Sequence, residues 1–384
     1  MVEIRRVKSR RDRKKFINFE NKLYSKCECF VPTIYKDEIS MFSYKKNPNI
    51  ISNESTGYLA YQDGKVVGRV LCTFNRIEKD KKNIIRFSHL DFVNDSEVSF
   101  ALLDVVEKWA TFLKSDKIIG DISFNDISNI GILNSGYDKF ATFHHRYNYP
   151  YYVNHLKDYG YSQSKKLKEY QLKIKEEHTL FSEDIEDSQY KIVSGDKFFK
   201  IKNYGRKVFD LLYNNSISGY PIVIEEGVYE RFFKNLNKLF SDDDFVIVVN
   251  ESDDVVGAML LTNNTSIALQ TTDGKELASN NYNVDIENHK YVDLSLYVIA
   301  DYEKETVENI MINYLIKSMN IKNNKYINMN LWLSDYKSSV FAYYFTKSWS
   351  RERVIMSKSL KTNIRRAKED LVNPNNIANN SIVK

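Results

Sequence analysis

The chain has few of the residues that interrupt regular structure or cross-link a fold. It contains five prolines and 13 glycines among 384 residues, so few positions force a break in a helix or a strand. Its three cysteines, Cys27, Cys29 and Cys72, are an odd number at spacings that suit neither a disulfide framework nor a zinc site. We therefore predict reduced thiols and no bound metal.

Long apolar runs are missing as well. The longest, residues 245–249 and 258–261, fall far short of the roughly 20 residues that cross a bilayer. The basic N-terminus is not followed by the apolar segment and cleavage site of a secretory signal. These observations predict no membrane association and a cytoplasmic location.

The excess of positive over negative charge is small, but the basic residues are unevenly distributed along the chain. The formal net charge is +5, and a dense run of Lys and Arg lies between residues 5 and 15. Such a run could bind the phosphates of a nucleic acid. In the alternative interpretation, residues 2–7 alternate like a strand, and Ser9 with Asp12 caps a helix whose basic side chains face water. We favour the alternative and expect no nucleic-acid partner.

Aromatic residues, in contrast, are abundant, with 27 Tyr and 22 Phe. Hydrophobic residues make up 42% of the chain and charged residues 28%, which is typical of a globular protein with a buried core. Because 384 residues exceed one ordinary domain, two domains with separate cores are expected.

Periodicity predicts the same order of elements in each half of the chain. In the first half we expect strands at 2–7, 57–61, 65–74, 84–93 and 117–124, with helices at 10–24, 36–42 and 96–113. In the second half we expect strands at 190–193, 245–249, 255–261, 292–299, 326–333 and 353–360, with helices at 197–213, 228–240, 306–319 and 338–347. An internal duplication explains this repetition most simply.

The two predicted hairpin turns support the duplication. Asp63 and Gly64 precede two valines and then Gly68, while Asp253 and Asp254 precede two valines and then Gly257.

The duplication sets the predicted domain boundaries. We place the domains at 1–175 and 188–362, an acidic linker at 176–187, and a polar tail at 363–384.

Residues 126–161 are the most informative stretch, because a generic core does not need their mixture of small, polar and aromatic side chains. Pro150 suits the start of a helix, and Gly160 suits the position after its end. The sequence thus predicts a short helix with Tyr151 and Tyr152 in its first turn.

This stretch resembles a family of bacterial GNAT-like acyltransferases. In that family a G-x-L-x-x-G-[FY]-D segment leads to a Y-N-x-P-Y-Y helix, and here GILNSGYD precedes YNYPYY at residues 147–152. The resemblance covers residues 1–175 well and 188–362 weakly. It implies an α/β (α+β) fold of two tandem GNAT-like domains, each with a mixed, mostly antiparallel twisted sheet flanked by helices.

The resemblance also implies an activity. Members transfer an acyl group from acetyl-CoA or another acyl-CoA to an amine, which we expect to belong to a small molecule. Two alternatives stay open: a catalytically inactive tandem GNAT protein that binds a small ligand, and a transferase that uses aminoacyl-tRNA.

In the GNAT superfamily the fourth and fifth strands splay apart, and pantetheine adds to the fourth strand as a further strand would. The next helix directs its N-terminus at the pyrophosphate. The resemblance therefore implies coenzyme A contacts at Tyr297, Val298 and Lys304. The glycines of the superfamily's phosphate loop are absent from residues 92–97 and 303–308.

Acyl transfer to an amine requires a group that collects the proton of the amine, whose pKa is near 10. The candidates for catalysis are Asp126, His145 and Tyr152. His144 and His145 are adjacent, so at most one of them faces a pocket on an extended segment.

A second set of residues is predicted to bind the substrate. These residues place amides and phenols at one edge of the first sheet: Asn125, Tyr137, Tyr147, Asn148 and Tyr151. The alternative is that these tyrosines close a core, with one polar handle each.

Overall fold

The computed structural model describes most of the chain. The described residues are 1–77, 83–124, 130–140, 145–178, 189–215, 225, 227–275, 290–300, 304–329 and 339–360. No helix in these ranges is long and apolar enough to span a membrane.

The first half contains seven strands and four helices within these ranges. The strands are β1 (Glu3–Arg6), β2 (Asn53–Gln62), β3 (Lys65–Asn75), β4 (Ile84–Phe92), β5 (Lys117–Gly120), β6 (Ile132–Ser135) and β7 (Ser162–Ile174). The helices are α1 (Arg10–Leu23), α2 (Tyr35–Ser40), α3 (Ser96–Phe112) and α4 (Tyr151–Asp158).

The second half repeats the main elements of this order. Its strands are β8 (Tyr190–Ile192), β9 (Phe245–Asn250), β10 (Val255–Asn263), β11 (Tyr291–Ile299), β12 (Tyr326–Met329) and β13 (Phe345–Ser359). Its helices are α5 (Lys197–Asn214), α6 (Val228–Leu236), α7 (Ser266–Thr271), α8 (Lys304–Ile321) and α9 (Phe341–Tyr344).

All of these strands form one continuous sheet, in the order β1-β2-β3-β4-β5-β13-β7-β12-β11-β10-β9-β8, with β6 attached to β13. The long strands at the centre are exchanged between the halves. The last strand of the second half, β13, pairs with β5, while β7 of the first half pairs with β12. β7 and β13 also pair with each other, from Ser162 opposite Ser357 to Ile174 opposite Phe345.

The sheet opens at two places. β4 and β5 pair in parallel only up to Phe87 and Gly120, after which β4 continues to Phe92 without β5 beside it. On the other side, the described pairing of β11 with β12 reaches Leu294 and Met329, the last described residue of β12, and β11 continues to Ile299. We call these openings the first gap and the second gap.

The strand beside each gap carries one extra residue at the opening. The pairing of β3 with β4 shifts between Arg69 and Leu71, and the pairing of β10 with β11 shifts between Leu260 and Leu261. Such bulges redirect side chains and are common next to active sites. His89 lies in the first bulge with φ of 52°, a left-handed conformation.

One helix of each half packs closely on its sheet because a glycine faces it. A Cβ on Gly68 would lie 2.8 Å from Leu102 of α3, and a Cβ on Gly257 would lie 2.5 Å from Val307 of α8. The glycine after two valines is therefore a packing requirement that both halves share.

The described elements confirm most of the predicted order, including the helix between Pro150 and Gly160 and both hairpins. Two predictions were wrong in extent. β5 ends at Gly120, because the next residues turn so that Ile122 N donates to Phe87 O at 3.1 Å. The predicted helix at 338–347 shortens to α9, because β13 begins at Phe345 to pair with β7. β6 was not predicted.

Candidate functional site

A cluster of buried charges lies on the α1 and α2 side of the first gap. We call it the first-half ion cluster, and it consists of Glu20, Glu38, Arg69, His89, Asp91 and Arg146. The members come from α1, α2, β3, β4 and the segment before α4, so the fold brings together residues far apart in the sequence.

Arg69 is fully buried at the centre of this cluster. Its Nε donates to Asp91 Oδ2 at 2.7 Å, its Nη1 donates to Phe16 O at 2.6 Å, and its Nη2 pairs with Glu20. Burying a charge is costly unless it is paired and hydrogen-bonded, and these contacts provide the pairing.

Arg146 joins the same two carboxylates from the other side. Its Nη2 pairs with Glu20 and lies 3.2 Å from Asp91 Oδ2. Burial acts to lower the pKa of Arg146, but Glu20 and Asp91 outweigh it and hold that pKa above its ordinary value. Arg146 therefore carries a permanent positive charge inside the protein.

His89 connects the bulge of β4 to α2. Its Nε2 lies 3.0 Å from Glu38 Oε2, and its Nδ1 lies 3.0 Å from Ser88 Oγ. Burial, together with the charge of Arg146, lowers the pKa of His89 below its ordinary value. At neutral pH this histidine is therefore neutral.

A second buried ion group lies where β7 meets β13. Glu169 of β7 pairs with both Arg351 and Arg353 of β13. The Nδ1 atom of His145, a residue predicted to be catalytic, lies 4.0 Å from the Oε1 atom of Glu169. His145 is thus buried beside a carboxylate that two arginines already neutralise.

Asp121 follows β5. The charges of Arg146 in the first-half ion cluster and of Arg353 in the second ion group both act on its carboxyl group. Burial raises its pKa to about 7, against the opposing effects of Arg146 and Arg353. Its carbonyl oxygen accepts a hydrogen bond from Gly131 N at 2.7 Å. The carboxyl group of Asp121 can therefore exchange a proton near neutral pH.

The second half lacks this charge pair at the matching positions. In the first half, Arg69 lies opposite Asp91 next to the Gly68–Phe92 pair. In the second half, Ala258 lies opposite Val298 next to the Gly257–Ile299 pair. The second half forms the same strand pairing without these buried ions. Strand pairing alone therefore does not explain their presence in the first half.

The tyrosines of the YNYPYY segment close the edge of β4 at the first gap. Val93 N donates to Val67 O, so the N–H and C=O of the preceding residue, Phe92, point away from β3 and into the gap. Phe92 N donates to the hydroxyl of Tyr152 at 3.1 Å, and the hydroxyl of Tyr151 donates to Phe92 O at 2.6 Å. The N–H and C=O of Phe92, which an added strand would use, are therefore occupied.

The buried hydroxyl of Tyr152 also lies 2.7 Å from the hydroxyl of Tyr24, which donates to Asp91 Oδ1 at 2.8 Å. Burial, together with the charge of Asp91, raises the pKa of Tyr152 well above its ordinary value. Tyr152 thus links β4 to the first-half ion cluster as a neutral hydrogen-bonding group.

At the N-terminus of α3, a backbone N–H group also bonds to a side chain. Asp95 Oδ1 accepts from Glu97 N at 2.8 Å, and His155 of α4 lies 3.0 Å from Asn94 Oδ1 and 2.8 Å from Ser99 Oγ. A carboxylate at a helix N-terminus repels phosphate, because it already occupies the positive end of the helix dipole. In this arrangement the start of α3 disfavours an anion.

Three of the predicted substrate-binding residues, Tyr137, Tyr147 and Asn148, lie together around β6. The Asn148 side chain accepts from Leu133 N at 2.7 Å and donates to Leu133 O at 3.0 Å. The Tyr147 hydroxyl donates to Tyr137 O, and the Tyr137 hydroxyl donates to Leu133 O. These contacts hold β6 against the segment before α4. Contact of these residues with a substrate stays a prediction.

Three of the predicted candidates, Asn125, Asp126 and His144, lie outside the described residues.

At the second gap, Tyr297 and Val298 lie on β11, and Lys304 is the first residue of α8. The Tyr297 hydroxyl donates to Glu308 Oε1 at 2.9 Å. Because Ala300 N donates to Val256 O, the backbone of Ile299 points into the second gap.

Asp293 lies one residue before Leu294, the last residue of β11 whose pairing with β12 falls within the described residues. It accepts hydrogen bonds from Asn264 at 3.0 Å and from Asn328 at 2.7 Å. Burial raises its pKa to about 6, although both amides act in the opposite direction. At neutral pH Asp293 is therefore mostly charged and can accept a proton.

Sequence reasoning missed the buried ions and Asp293. The available signal was a charged residue inside an otherwise apolar strand: Arg69 in VVGRVLC, Asp91 in SHLDF and Arg353 in RERVIM. Charged residues are rarely fully buried unless they are paired, so each of these predicts an internal partner.

The architecture is a tandem GNAT-like fold, in which two mixed α/β halves each open one gap beside a bulged strand. A tandem GNAT protein from the clavulanic acid biosynthesis pathway has this fold with a TM-score of 0.56 at 10% identity, covering 94% of this chain and 98% of its own. A GCN5-related glucosamine N-acetyltransferase region in a fungal multi-domain β-N-acetylglucosaminidase also gives 0.56 at 10% identity, covering 93% of this chain and 38% of that protein. A probable N-acyltransferase from Enterococcus faecalis V583 gives 0.51 at 10% identity, covering 94% of this chain and 73% of its own. At these identities the similarity establishes the fold.

Among curated proteins, YghO of Escherichia coli K12 is 26% identical over 160 residues. The matched segment spans 41% of this chain and 41% of YghO, which is less than half of either protein. No protein-family model matches the sequence.

Proposed function

We propose that the protein is an N-acyltransferase that transfers an acyl group from an acyl-CoA to an amine of a small molecule, and that transfer takes place in the second gap. The observation that carries the proposal is the contrast between the two gaps. Hydroxyls of Tyr151 and Tyr152 bond to the backbone of Phe92 in the first gap, whereas the backbone of Ile299 points into the second gap, because Ala300 N donates to Val256 O.

The edge of β11 suits the pantetheine arm, which would hydrogen-bond to it as a further strand. Tyr297, Val298 and Lys304 are the residues we expect to contact coenzyme A. The amine nitrogen forms a bond to the acyl carbon of the thioester as the carbon–sulfur bond breaks, and coenzyme A leaves as a thiolate that takes up a proton.

Both substrates must meet in the same gap. In the strand order, β4 and β11 are separated by β5, β13, β7 and β12, so the two gaps lie roughly 24 Å apart at about 4.8 Å per strand spacing. A reaction in the second gap therefore cannot use His145 or Tyr152 of the first half. We infer that the acceptor amine also enters the second gap.

Asp293 is the proposed proton acceptor for that amine. An alkylamine is mostly protonated at neutral pH and becomes nucleophilic only when its proton is removed. A carboxylate with a pKa of about 6 is charged at pH 7 and can receive this proton directly or through a water molecule.

Titration of acetyl-CoA against the full chain, followed by hydrogen–deuterium exchange, tests the donor site. We expect acetyl-CoA to slow exchange in β11 and at the start of α8, and to leave β4 unchanged. Lys304→Glu should weaken binding by about tenfold, as expected for loss of a charge-assisted contact, and Lys202→Glu on α5 is the matched control. Slower exchange in β4 alone, or no binding at millimolar acetyl-CoA, would refute the proposal.

A second candidate function is the binding of a small ligand without transfer, and the sealed edge at Phe92 favours it for the first half. A screen of amines with acetyl-CoA, read by mass spectrometry, separates the two functions. An acylated product that disappears in Asp293→Asn supports the transferase. Tight binding of a ligand with no product from any amine supports the alternative.

A further inference from the structure

A cleft of about 400 Å³ lies at one end of the sheet in the second half. We call it the lysine cleft, because Lys173, Lys290 and Lys325 line it together with three asparagines. Lys173, Lys325 and Asn323 are exposed and Lys290 is half-buried, so a solute can reach the lining side chains. The volume lies within the range of about 300–1,000 Å³ that small-molecule sites occupy.

Three neighbouring strands bring the lysines together. Lys325 N, just before β12, donates to Lys290 O, just before β11, at 2.8 Å, and Lys325 O accepts from Ile174 N of β7 at 3.1 Å. Lys173 precedes Ile174 and lies opposite Tyr326 in the pairing of β7 with β12. Because adjacent strands are about 4.8 Å apart, the backbones of the three lysines lie within about 10 Å of one another.

The asparagines of the cleft belong to the turn that joins α8 to β12. Asn324 N donates to Met319 O at 2.8 Å, and Asn323 N donates to Asn320 O at 3.1 Å. Asn323 has φ of 56°, a left-handed conformation that asparagine adopts more readily than most residues. These contacts fix the backbone of the turn, whose amide side chains can donate to a ligand or accept from it.

Tyr326 forms a fixed wall of the cleft. Its ring stacks on the ring of Tyr291, with the centroids 4.9 Å apart and an angle of 20° between the planes. The two residues are also partners in the pairing of β11 with β12. A side chain that is already held in this way loses little conformational freedom when a ligand binds.

The charge of the cleft favours an anion. Three lysines and one carboxylate, that of Glu176, lie among the lining residues, which gives a formal charge of +2. Like charges on neighbouring strands destabilise a sheet, so an anion that neutralises them is stabilising. A phosphomonoester carries a charge of about −1.5 to −2 at pH 7, which matches this excess.

The lysine cleft is separate from the proposed transfer site. Lys290 precedes the first residue of β11, whereas Ile299 is its last residue and points into the second gap. At about 3.3 Å per residue, roughly 30 Å separates these two ends. A ligand of the cleft therefore does not occupy the second gap.

We propose that the lysine cleft binds a small phosphorylated polyol of the sugar phosphate class. The phosphate oxygens accept from the ammonium groups of the three lysines, which act on a phosphate as point charges. The amides of the turn after α8 bond to the hydroxyls of the sugar. Binding at this place does not require acyl transfer, so the proposal is independent of the proposed function.

Calorimetry with the full-length protein tests the proposal, and the probes are glucose 6-phosphate, fructose 6-phosphate and ribose 5-phosphate. At least one of them should bind with a dissociation constant below about 1 mM. The same sugar without its phosphate should bind at least about tenfold more weakly, because the charge-assisted contacts are lost. Inorganic phosphate should also bind at least about tenfold more weakly, because it has no hydroxyls for the asparagines.

Variants then locate the site. Lys325→Gln should weaken the sugar phosphate by about five- to tenfold and leave acetyl-CoA binding unchanged, since only a contact to the phosphate is lost. Asn323→Asp keeps the shape and tolerates the left-handed backbone, but its negative charge should weaken the sugar phosphate by about as much. Lys202→Gln, at an exposed position on α5, is the matched control and should have no effect. Lys304→Glu should also leave sugar phosphate binding unchanged.

Three results would overturn the proposal. The first is that none of the three probes binds at about 10 mM. The second is that inorganic phosphate binds as tightly as the best probe, which would indicate an adventitious anion only. The third is that Lys325→Gln and Asn323→Asp, with melting temperatures equal to that of the unchanged chain, both bind the sugar phosphate as tightly as that chain does.

Discussion

Asp121→Asn should change the pH dependence of stability, because Asp121 is the buried acid whose pKa lies furthest above its ordinary value of 3.8 among those with a stated value. Burial raises that pKa to about 7, while Arg146, Arg353 and Arg69 oppose the rise and Asp91 adds to it. Asparagine has nearly the same shape and cannot ionise. The substitution thus removes the titration and keeps the packing.

The direction in which the free energy of unfolding changes with pH follows from the protonation of Asp121 in the folded and the unfolded states. Below about pH 4 the carboxyl of Asp121 is protonated in both states, and above about pH 7 it is charged in both. Between these values the unfolded chain is charged there while the folded protein is not. The free energy of unfolding of the unchanged protein therefore falls as pH rises through this window, by roughly 4 kcal/mol for a difference of about three pH units.

Urea unfolding from pH 4 to pH 8, followed by tryptophan fluorescence, measures this effect. The difference in unfolding free energy between Asp121→Asn and the unchanged protein should rise by roughly 4 kcal/mol from pH 4 to pH 7 and then level off. All other titrating groups cancel in this difference. A difference that does not change with pH would refute the assigned burial of Asp121.

Three further predictions concern the architecture. Gly257→Ala should lower the free energy of unfolding by about 1–3 kcal/mol in urea, because the new Cβ would lie within 2.8 Å of two side chains of α8. Tyr152→Phe should lower the free energy of unfolding by about 1–3 kcal/mol, because it leaves the buried N–H of Phe92 unpaired. Tyr151→Phe leaves only the carbonyl of Phe92 without its partner and should lower it less in the same assay. A chain truncated after Tyr344 should fail to give a cooperative melt, because β13 joins the two parts of the sheet, and retention of a sharp melt would contradict that role.

The overall order of elements was predictable because each signal is local. The hairpin turn at Asp63 and Gly64, and the helix bounded by Pro150 and Gly160, depend on backbone preferences that a few residues carry. The resemblance to GNAT-like proteins then supplied the fold class that the comparisons confirm.

The exchange of β7 and β13 was not predictable from such signals. Strand partners are chosen by contacts between residues nearly 200 positions apart, as in Glu169 with Arg351 and Arg353. Periodicity reports which face of a strand is buried but not which strand lies beside it.

The candidate site was predicted only in part, for the same reason. The YNYPYY segment was singled out for its composition, but the hydroxyls of Tyr151 and Tyr152 bond to the backbone of Phe92, which no sequence pattern marks. Likewise, Arg69 and Asp91 each occur singly within apolar strands, and only the register shows that they face each other.

The central position of β13 also affects how the protein folds during its synthesis. During synthesis the first half leaves the ribosome with the edge of β5 open, since the strand that covers it comes from residues 345–359. An N-terminal domain commonly folds while the rest of the chain is still being translated. Here the N-terminal half must wait until residues 345–359 have been translated, so a stop codon before them would damage the half that was made first.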